Sequence, residues 1–242
     1  SIIQWAITGY VLALAIAVPI AGWLMNRFEG KKIFIGVVIL FGVTSVLAGI
    51  SWNVTSFIVF RLLQGFTAGI ITPLMSTLLV KTAGPENIGR VMAIVSTPMI
   101  FGPILGPVLG GFIVQAASWR WIFFINVFIV LIAAPLMMCT LPRFEPFNRK
   151  SKLDIFGILD LSAMSAALIY GITKAADHAT FKNSESLLWT GLGVALLIVY
   201  VLYDHHKNHA TVLPLTIFSH RSFKASSVGL FFANIAIMGP ML

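Results

Sequence analysis

One arginine stands inside a long apolar stretch and is the residue best suited to chemistry. Arg61 lies in the run that begins near Val54, about 10 Å along a helix that rises about 1.5 Å per residue. A charge at that depth is costly and is usually retained for function. Gln64, Gly65 and Gly69 follow at helical spacing, so this face is small enough to line a cavity or to admit another helix. The alternative is an arginine whose side chain extends to the outer headgroups.

The next apolar run carries glycines and prolines in two adjacent ridges. The ridges consist of Gly102, Gly106 and Gly110, and of Pro103, Pro107 and Gly111. Each proline removes a backbone hydrogen bond and bends the helix, and a glycine ridge lets a second backbone approach closely. The pattern favours a helix that moves against a neighbour, with static close packing as the alternative.

A short basic turn and two weaker patterns complete the candidates. Gly22, Asn26, Arg27 and Lys31 belong to a tight turn in which several cations stand together, and this turn is also explained by membrane orientation alone. Asp160 is either a buried titratable group or a carboxylate that reaches the inner headgroups. Three histidines have metal-like spacing but are better explained as a solvated basic cluster; they are His205, His206 and His209. We therefore expect no metal site and no cofactor.

The composition shows what must position these residues. The 242 residues are 58% hydrophobic and only 10% charged, with a mean hydropathy of +0.96. Too few charges are present for a water-exposed surface, which excludes a soluble enzyme, a disordered chain and a disulfide-stabilised secreted domain. The net charge of +8 is scattered between apolar runs, a pattern typical of membrane topology and not of nucleic-acid binding.

The apolar runs predict about seven membrane-spanning helices and the start of an eighth, because a span needs roughly 20 apolar residues. The predicted spans are 2–25, 33–50, 54–80, 91–117, 121–141, 155–173 and 187–203, and the eighth begins near Ala225. Alternate connections carry 12 and 3 lysines and arginines. Because cytoplasmic loops are enriched in these residues, residue 1 is predicted to lie on the outer side. The chain opens at Ser1, directly before an apolar run, so we expect an internal piece of a longer protein.

Three of these segments, in this order, resemble the signatures of the major facilitator superfamily, above all its fourteen-span drug:proton antiporters. Residues 61–65 are similar to the Arg-x-x-Gln-Gly signature of the family's fourth helix. Residues 102–111 are similar to the Gly-x-x-x-Gly-Pro-x-x-Gly-Gly signature that marks antiporters. Residues 119–126 and 5–10 are similar to the beginnings of the sixth and second helices. The resemblance covers essentially the whole chain.

The basic turn departs from the family's Gly-x-x-x-Asp-Arg-x-Gly-Arg-Lys pattern. Asn26 stands at the aspartate position and Glu29 at the second glycine position, whereas Gly22, Arg27 and Lys31 keep their places. The charge that would link the two halves of a family member is therefore missing, and Glu29 is a candidate substitute.

The resemblance implies a partial major facilitator fold, an all-α membrane helix bundle. Residues 1–141 would form an N-terminal helical domain without its first span, 142–204 two linker membrane helices, and 205–242 a cytoplasmic loop and the start of a C-terminal domain. It also implies a plasma-membrane transporter, not an enzyme, that exports small amphipathic compounds by alternating access. Arg61 would serve proton coupling, with protons and membrane lipid as further partners. Export of a single solute, such as a sugar, siderophore or metabolite, is the alternative, and a channel is a more remote one.

Overall fold

Helices make up nearly all of the computed structural model, which describes residues 2–146, 148, 153–177, 183–208 and 211–238. The helices are α1 (Ile2–Arg27), α2 (Gly30–Gly49), α3 (Val54–Ala116), α4 (Trp121–Thr140), α5 (Ile155–Asp177), α6 (Ser184–His206) and α7 (Arg221–Met238). A short 3-10 helix, Leu215–Ser219, precedes α7. No strand occurs among the described residues, and the predicted all-α class is confirmed.

Six helices of the described part are long and apolar enough to cross a membrane. They are Ala6–Arg27, Gly30–Gly49, Val54–Gly84, Trp121–Thr140, Ile155–Ala176 and Ser184–His206. The run predicted at 91–117 is helical as well, and its described apolar stretch is Leu105–Ala116. Many large apolar side chains point outward, for example Ile132 at 72% exposure, as a lipid-facing surface requires.

The connection predicted as a loop at 81–90 is helical except at one residue. Gly84 has φ 69° and ψ 168°, and helical hydrogen bonding resumes directly after it. Side chains disfavour this region of backbone conformation, and glycine tolerates it. The first part of α3 (Val54–Gly84) and its second part (residues 85–116) are therefore two helices joined at a single glycine.

The first part of α3 lies at the centre of the bundle. It packs against α1 and α2, and α4 packs mainly against α2 while also touching α3. Small residues allow the approach of α4 to α2: a Cβ atom at Gly42 would lie 3.0 Å from Val130, and one at Gly49 would lie 2.9 Å from Phe124. The first part of α3 is thus in contact with all three of these helices.

The apolar core fills the predicted cytoplasmic half of α1, α2 and α3. Its buried members are Ala17, Ala21, Met25, Phe34, Val38, Ile70, Leu74, Leu78 and Phe144. Phe144 follows α4 and belongs to the core at its predicted cytoplasmic end. Its carbonyl oxygen accepts a 3.1 Å hydrogen bond from the amide of Gly30. The extended chain after α4 thus completes the helical core.

Helices α5 and α6 form a hairpin that packs against α1 through α5. Gly171 faces Thr190, and Gly193 faces Leu168, at distances too short for a larger residue. The hydroxyl of Ser162 lies 3.5 Å from the carbonyl oxygen of Ile16, which ties the hairpin to α1.

Candidate functional site

Arg61 lies inside the bundle, where three helices supply its surroundings. Its Cζ atom lies 4.1 Å from the ring centroid of Tyr10 on α1 and 5.7 Å from that of Phe123 on α4. Its Nη1 donates a 2.7 Å hydrogen bond to Oε1 of Gln64. Cation–π contacts of this kind contribute about 0.5–2 kcal/mol. The guanidinium is therefore held by protein groups in this structure and does not depend on lipid headgroups for its contacts.

Gln64 links Arg61 to the neighbouring helix α2. The side chain of Gln64 is 1% exposed, and its Nε2 donates a 2.7 Å hydrogen bond to Oγ of Ser45. The Ser45 hydroxyl in turn donates to the carbonyl oxygen of Phe41 at 2.8 Å. A buried amide costs free energy unless its groups are paired, and here both ends of the Gln64 amide have partners.

Gly65 and Gly69 form the surface on which α1 approaches α3. A Cβ atom at Gly65 would overlap the carbonyl oxygen of Tyr10 and lie 3.0 Å from its Cα. A Cβ atom at Gly69 would overlap the carbonyl oxygen of Leu14 and lie 2.9 Å from the Cβ of Ala17. Of the two uses that the sequence left open, the structure shows the admission of another helix. This close contact brings Tyr10 to Arg61.

The glycine and proline series of the second part of α3 lies on an open surface. Among the described residues, no heavy atom within 4 Å would meet a Cβ atom at Gly102, Gly106, Gly110 or Gly111. Pro107 is exposed, the side chain of Pro103 lies outside the described residues, and nearby Phe112 is 70% exposed. Both series lie in a helix, and the described residues leave this glycine surface bare.

Lys31 of the basic turn caps a different helix. Its ammonium group donates hydrogen bonds to the carbonyl oxygens of Met138 at 2.8 Å and Leu141 at 2.7 Å, at the C-terminal end of α4. Unpaired carbonyl groups and the negative end of the helix dipole favour a cation there. The carbonyl oxygen of Asn26 accepts a 2.9 Å hydrogen bond from the amide of Asn148, so the turn also holds the chain that follows α4.

The segment predicted as a basic turn is mostly helical, because Gly22, Asn26 and Arg27 lie in α1 and Lys31 lies in α2. Only the short connection at residues 28–29 is not helical, and no atom of the described residues within 4 Å would meet a Cβ atom at Gly22. Glu29, the candidate substitute for the missing aspartate, forms a 2.9 Å ion pair with Lys32, which keeps it within the turn. A cleft of about 470 Å³ lies beside it, lined by Arg27, Phe28, Glu29, Arg143, Glu145 and Pro146.

The weaker candidates are placed apart from Arg61. Asp160 lies in α5 and is 7% exposed, and its buried Oδ2 has no hydrogen-bond partner among the described residues. His205 and His206 lie in the last turn of α6, and His209 lies outside the described residues. Within the described part of the chain, no group of three or more metal-ligating side chains occurs.

The sequence reasoning missed a buried carboxylate at the end of α6. Asp204 is 0% exposed; its Oδ1 accepts a hydrogen bond from the hydroxyl of Thr211, and its Oδ2 accepts one from the amide of Leu215 at 3.1 Å. An acidic residue in the last turn of an apolar run is the signal that would have pointed to it. Its role is to fix the segment that leads to α7.

A second acidic residue, Asp154, supports the same segment. Its Oδ1 accepts a 2.5 Å hydrogen bond from the hydroxyl of Tyr203, and its Oδ2 accepts one from the amide of Val212 at 3.3 Å. Lys207, beyond the span, has a raised pKa, mainly because its ammonium group hydrogen-bonds to Tyr203. These contacts close the predicted cytoplasmic end of the α5–α6 hairpin.

Comparison with known proteins decides the family. The model of the Major Facilitator Superfamily matches residues 1–242, the whole chain. The chain belongs to the Major Facilitator Superfamily. This agrees with the six long apolar helices and makes the chain part of a multi-pass plasma-membrane protein.

Similar superfamily members are named for multidrug resistance or export. The Multidrug resistance protein B homolog of Mycobacterium tuberculosis is 33% identical over 242 residues, covering 100% of this chain and 45% of the relative. The Multidrug export protein EmrB of Haemophilus influenzae is 32% identical over 234 residues, covering 97% and 45%. The Probable multidrug resistance protein EmrY of Escherichia coli is 31% identical over 243 residues, covering 98% and 47%. The chain therefore spans less than half the length of these curated relatives.

Proposed function

We propose that the whole protein exports small amphipathic compounds across the plasma membrane in exchange for protons, by alternating access. The observation that carries this proposal is the position of Arg61, which is held within the bundle by Tyr10 and Gln64. A charge is retained inside a membrane bundle when it serves transport or coupling. The names of the relatives, which refer to multidrug resistance and export, support the class of compound.

We propose that Arg61 couples protons to transport through its distance from a carboxylate in a part of the protein outside the described residues. A guanidinium close to a carboxylate favours the ionised form, and its withdrawal allows a proton to bind. Tyr10 stands on α1 and Gln64 on α3, so a shift of one helix against the other changes what the guanidinium can reach. We propose that this shift accompanies the exchange between inward-open and outward-open states.

The remaining parts of the chain fit the same mechanism. We propose that the helices through α4 belong to the N-terminal domain, that α5 and α6 are linker helices, and that α7 begins the C-terminal domain. The hairpin of α5 and α6, which packs on α1, supports this division. The bare ridge of Gly102, Gly106 and Gly110 supports a surface that moves against another helix. Transport of this kind changes no covalent bond, so we propose a transporter and not an enzyme.

The test uses the full-length protein in proteoliposomes and two fluxes of ethidium. One flux is driven by a proton gradient and the other runs down the ethidium gradient alone; their quotient is the coupling ratio. We expect Arg61→Ala to lower the coupling ratio about tenfold, within the range of about 5–150-fold that coupling free energies usually span. An unchanged ratio would reject the role of Arg61.

Arg120 provides the matched control. It lies just before α4, with its Cζ atom 4.8 Å from the ring centroid of Trp119, and its Nη2 donates to the carbonyl oxygen of Ser51 at 3.2 Å. It is thus an arginine in a comparable aromatic setting near the predicted outer end of the bundle. We expect Arg120→Ala to leave the coupling ratio within about twofold of the wild type.

Two further measurements separate the alternatives. A panel of sugars, siderophores and amphipathic dyes distinguishes broad export from export of one defined solute. A voltage-clamp record distinguishes a transporter from a channel, whose ion currents are far larger. Export confined to one solute, or a channel-sized current, would contradict the proposal.

A further inference from the structure

Ser45 lies where α2 meets the Arg61 site, and its hydroxyl has two buried neighbours. The residue is 0% exposed. Its Oγ lies 2.8 Å from the carbonyl oxygen of Phe41 and 2.7 Å from Nε2 of Gln64. Nothing in the sequence pattern singles out this serine, because an isolated hydroxyl in an apolar helix usually bonds only to its own backbone.

The chemistry of these groups fixes the direction of each hydrogen bond in the series that joins Phe41, Ser45, Gln64 and Arg61. A backbone carbonyl only accepts, so the Ser45 hydroxyl must donate to Phe41 and has only lone pairs left for Gln64. The Gln64 amide must then present its NH2 group to Ser45, which turns its oxygen towards Arg61. A reversed amide would set its NH2 group against the guanidinium, donor against donor, and would lose the bond to Arg61 in a buried site. Its oxygen would then keep a bond to Ser45 only if the hydroxyl turned away from Phe41.

We propose that Ser45 is a positioning residue for Arg61. It acts through Gln64 by holding the amide oxygen 2.7 Å from Nη1 of Arg61, while the ring of Tyr10 holds the guanidinium on the other helix. Ser45 thereby makes the position of Arg61 depend on α2 as well as on α1 and α3. This inference rests on the proposed coupling role of Arg61 and assigns to α2 a part in it.

The neighbouring residue offers a matched control. Thr44 is 4% exposed, and its Oγ1 donates a 2.9 Å hydrogen bond to the same carbonyl oxygen of Phe41. This bond stays within α2, whereas that of Ser45 continues into α3. Thr44→Val therefore removes a buried hydroxyl with the same acceptor and leaves the Ser45–Gln64–Arg61 chain in place.

The experiment measures the coupling ratio of Ser45→Ala and Thr44→Val in the full-length protein in proteoliposomes. The ratio does not depend on how much protein is folded, because both fluxes scale with that amount. We expect Ser45→Ala to lower the ratio about fivefold and Thr44→Val to change it less than about twofold. Equal losses in both variants, or no loss in Ser45→Ala, would overturn the proposal.

Two further variants sharpen the test, and the first of them, Ser45→Cys, keeps it decisive if Ser45→Ala does not fold. Ser45→Cys retains a side chain of similar shape with a weaker donor and acceptor, and we expect a smaller loss of the same ratio. In the double variant Ser45→Ala/Arg61→Ala, the serine change should add nothing, because residues that act through one another are not additive. A loss in the double variant larger than that of Arg61→Ala alone would count against the proposal. If Ser45→Ala does not fold, a wild-type coupling ratio in Ser45→Cys would also count against it.

The outcomes also separate this inference from the proposed function. If Arg61→Ala leaves the coupling ratio unchanged, the coupling role of Arg61 fails, and the positioning role of Ser45 fails with it. If Arg61→Ala lowers the ratio and Ser45→Ala does not, only the inference about Ser45 fails.

Discussion

The two parts of α3 both carry glycines at helical spacing, yet their surroundings are opposite. In the first part, Gly65 and Gly69 lie against the backbone of α1 so closely that a Cβ atom would overlap a carbonyl oxygen. In the second part, a Cβ atom at Gly102, Gly106 or Gly110 would meet no heavy atom of the described residues within 4 Å. The same sequence pattern thus occurs once in a filled interface and once on an open face.

This difference shows that a ridge of small residues can have two structural roles. A ridge in contact allows close backbone approach and sets the distance between two helices. A bare ridge contributes little to the stability of the described bundle, so another role must be sought for it. For the second part of α3, we proposed a surface that moves against another helix, and the substitutions below distinguish this role from static packing.

The largest effect is expected at Gly69. In Gly69→Ala, the added methyl group meets the Leu14 carbonyl oxygen and lies 2.9 Å from Ala17, and neither belongs to a flexible side chain that can move aside. Overpacking of this kind costs about 1–3 kcal/mol, occasionally more, and we expect the upper end of that range. Thermal unfolding of the full-length protein in detergent measures the change.

Gly36 is the control for this substitution. It lies in the membrane-spanning helix α2, and a Cβ atom there would meet no atom of the described residues within 4 Å. We expect Gly36→Ala to leave the melting temperature unchanged or to raise it slightly, because alanine favours a helix more than glycine by about 1 kcal/mol. Equal melting temperatures for Gly36→Ala and Gly69→Ala would mean that α1 and α3 do not touch as described.

The contrast also shows how far sequence reasoning reaches. The placement of Arg61, Gly65 and Gly69 on one helix face follows from the 3.6-residue period, and all three residues contact α1 in the structure. The partners Tyr10 and Ser45 were not predicted, because they depend on how α1 and α2 are rotated against α3. Periodicity describes one helix at a time and carries no information on which face meets which.

Contacts between distant segments were likewise beyond the sequence. Lys31 was recognised as part of a basic turn, but its bonds to Met138 and Leu141 cross more than a hundred residues of chain. Asp204 carried a charge at the end of an apolar run, yet its burial depends on the return of the chain at Thr211. In both cases the residue type was visible, and the partner was set by the tertiary path.

The second-largest effect is expected at the junction of the two parts. Gly84 has φ 69° and ψ 168°, a conformation essentially confined to glycine that costs a residue with a side chain about 1–3 kcal/mol. We expect Gly84→Ala to destabilise the protein by about this amount, although no atom of the described residues lies within 4 Å of a Cβ there. Gly89→Ala is the control, since Gly89 has equal space and lies in the regular part of the helix. Equal melting temperatures for Gly84→Ala and Gly89→Ala would contradict the break in α3 at Gly84.

The smallest effect on stability, and the most informative one, is expected at Gly106. An added methyl group meets nothing within 4 Å in the described bundle, so Gly106→Ala should change the stability by less than about 1 kcal/mol. If the bare ridge moves against another helix during transport, the larger Gly106→Leu should slow proton-driven ethidium export while the melting temperature stays near that of the wild type. Static packing in the full-length protein would instead make Gly106→Leu as destabilising as Gly69→Ala, because a permanently filled interface cannot avoid the added side chain. Melting temperature and export rate, measured on the same preparations, therefore decide between a moving and a fixed contact for the second part of α3.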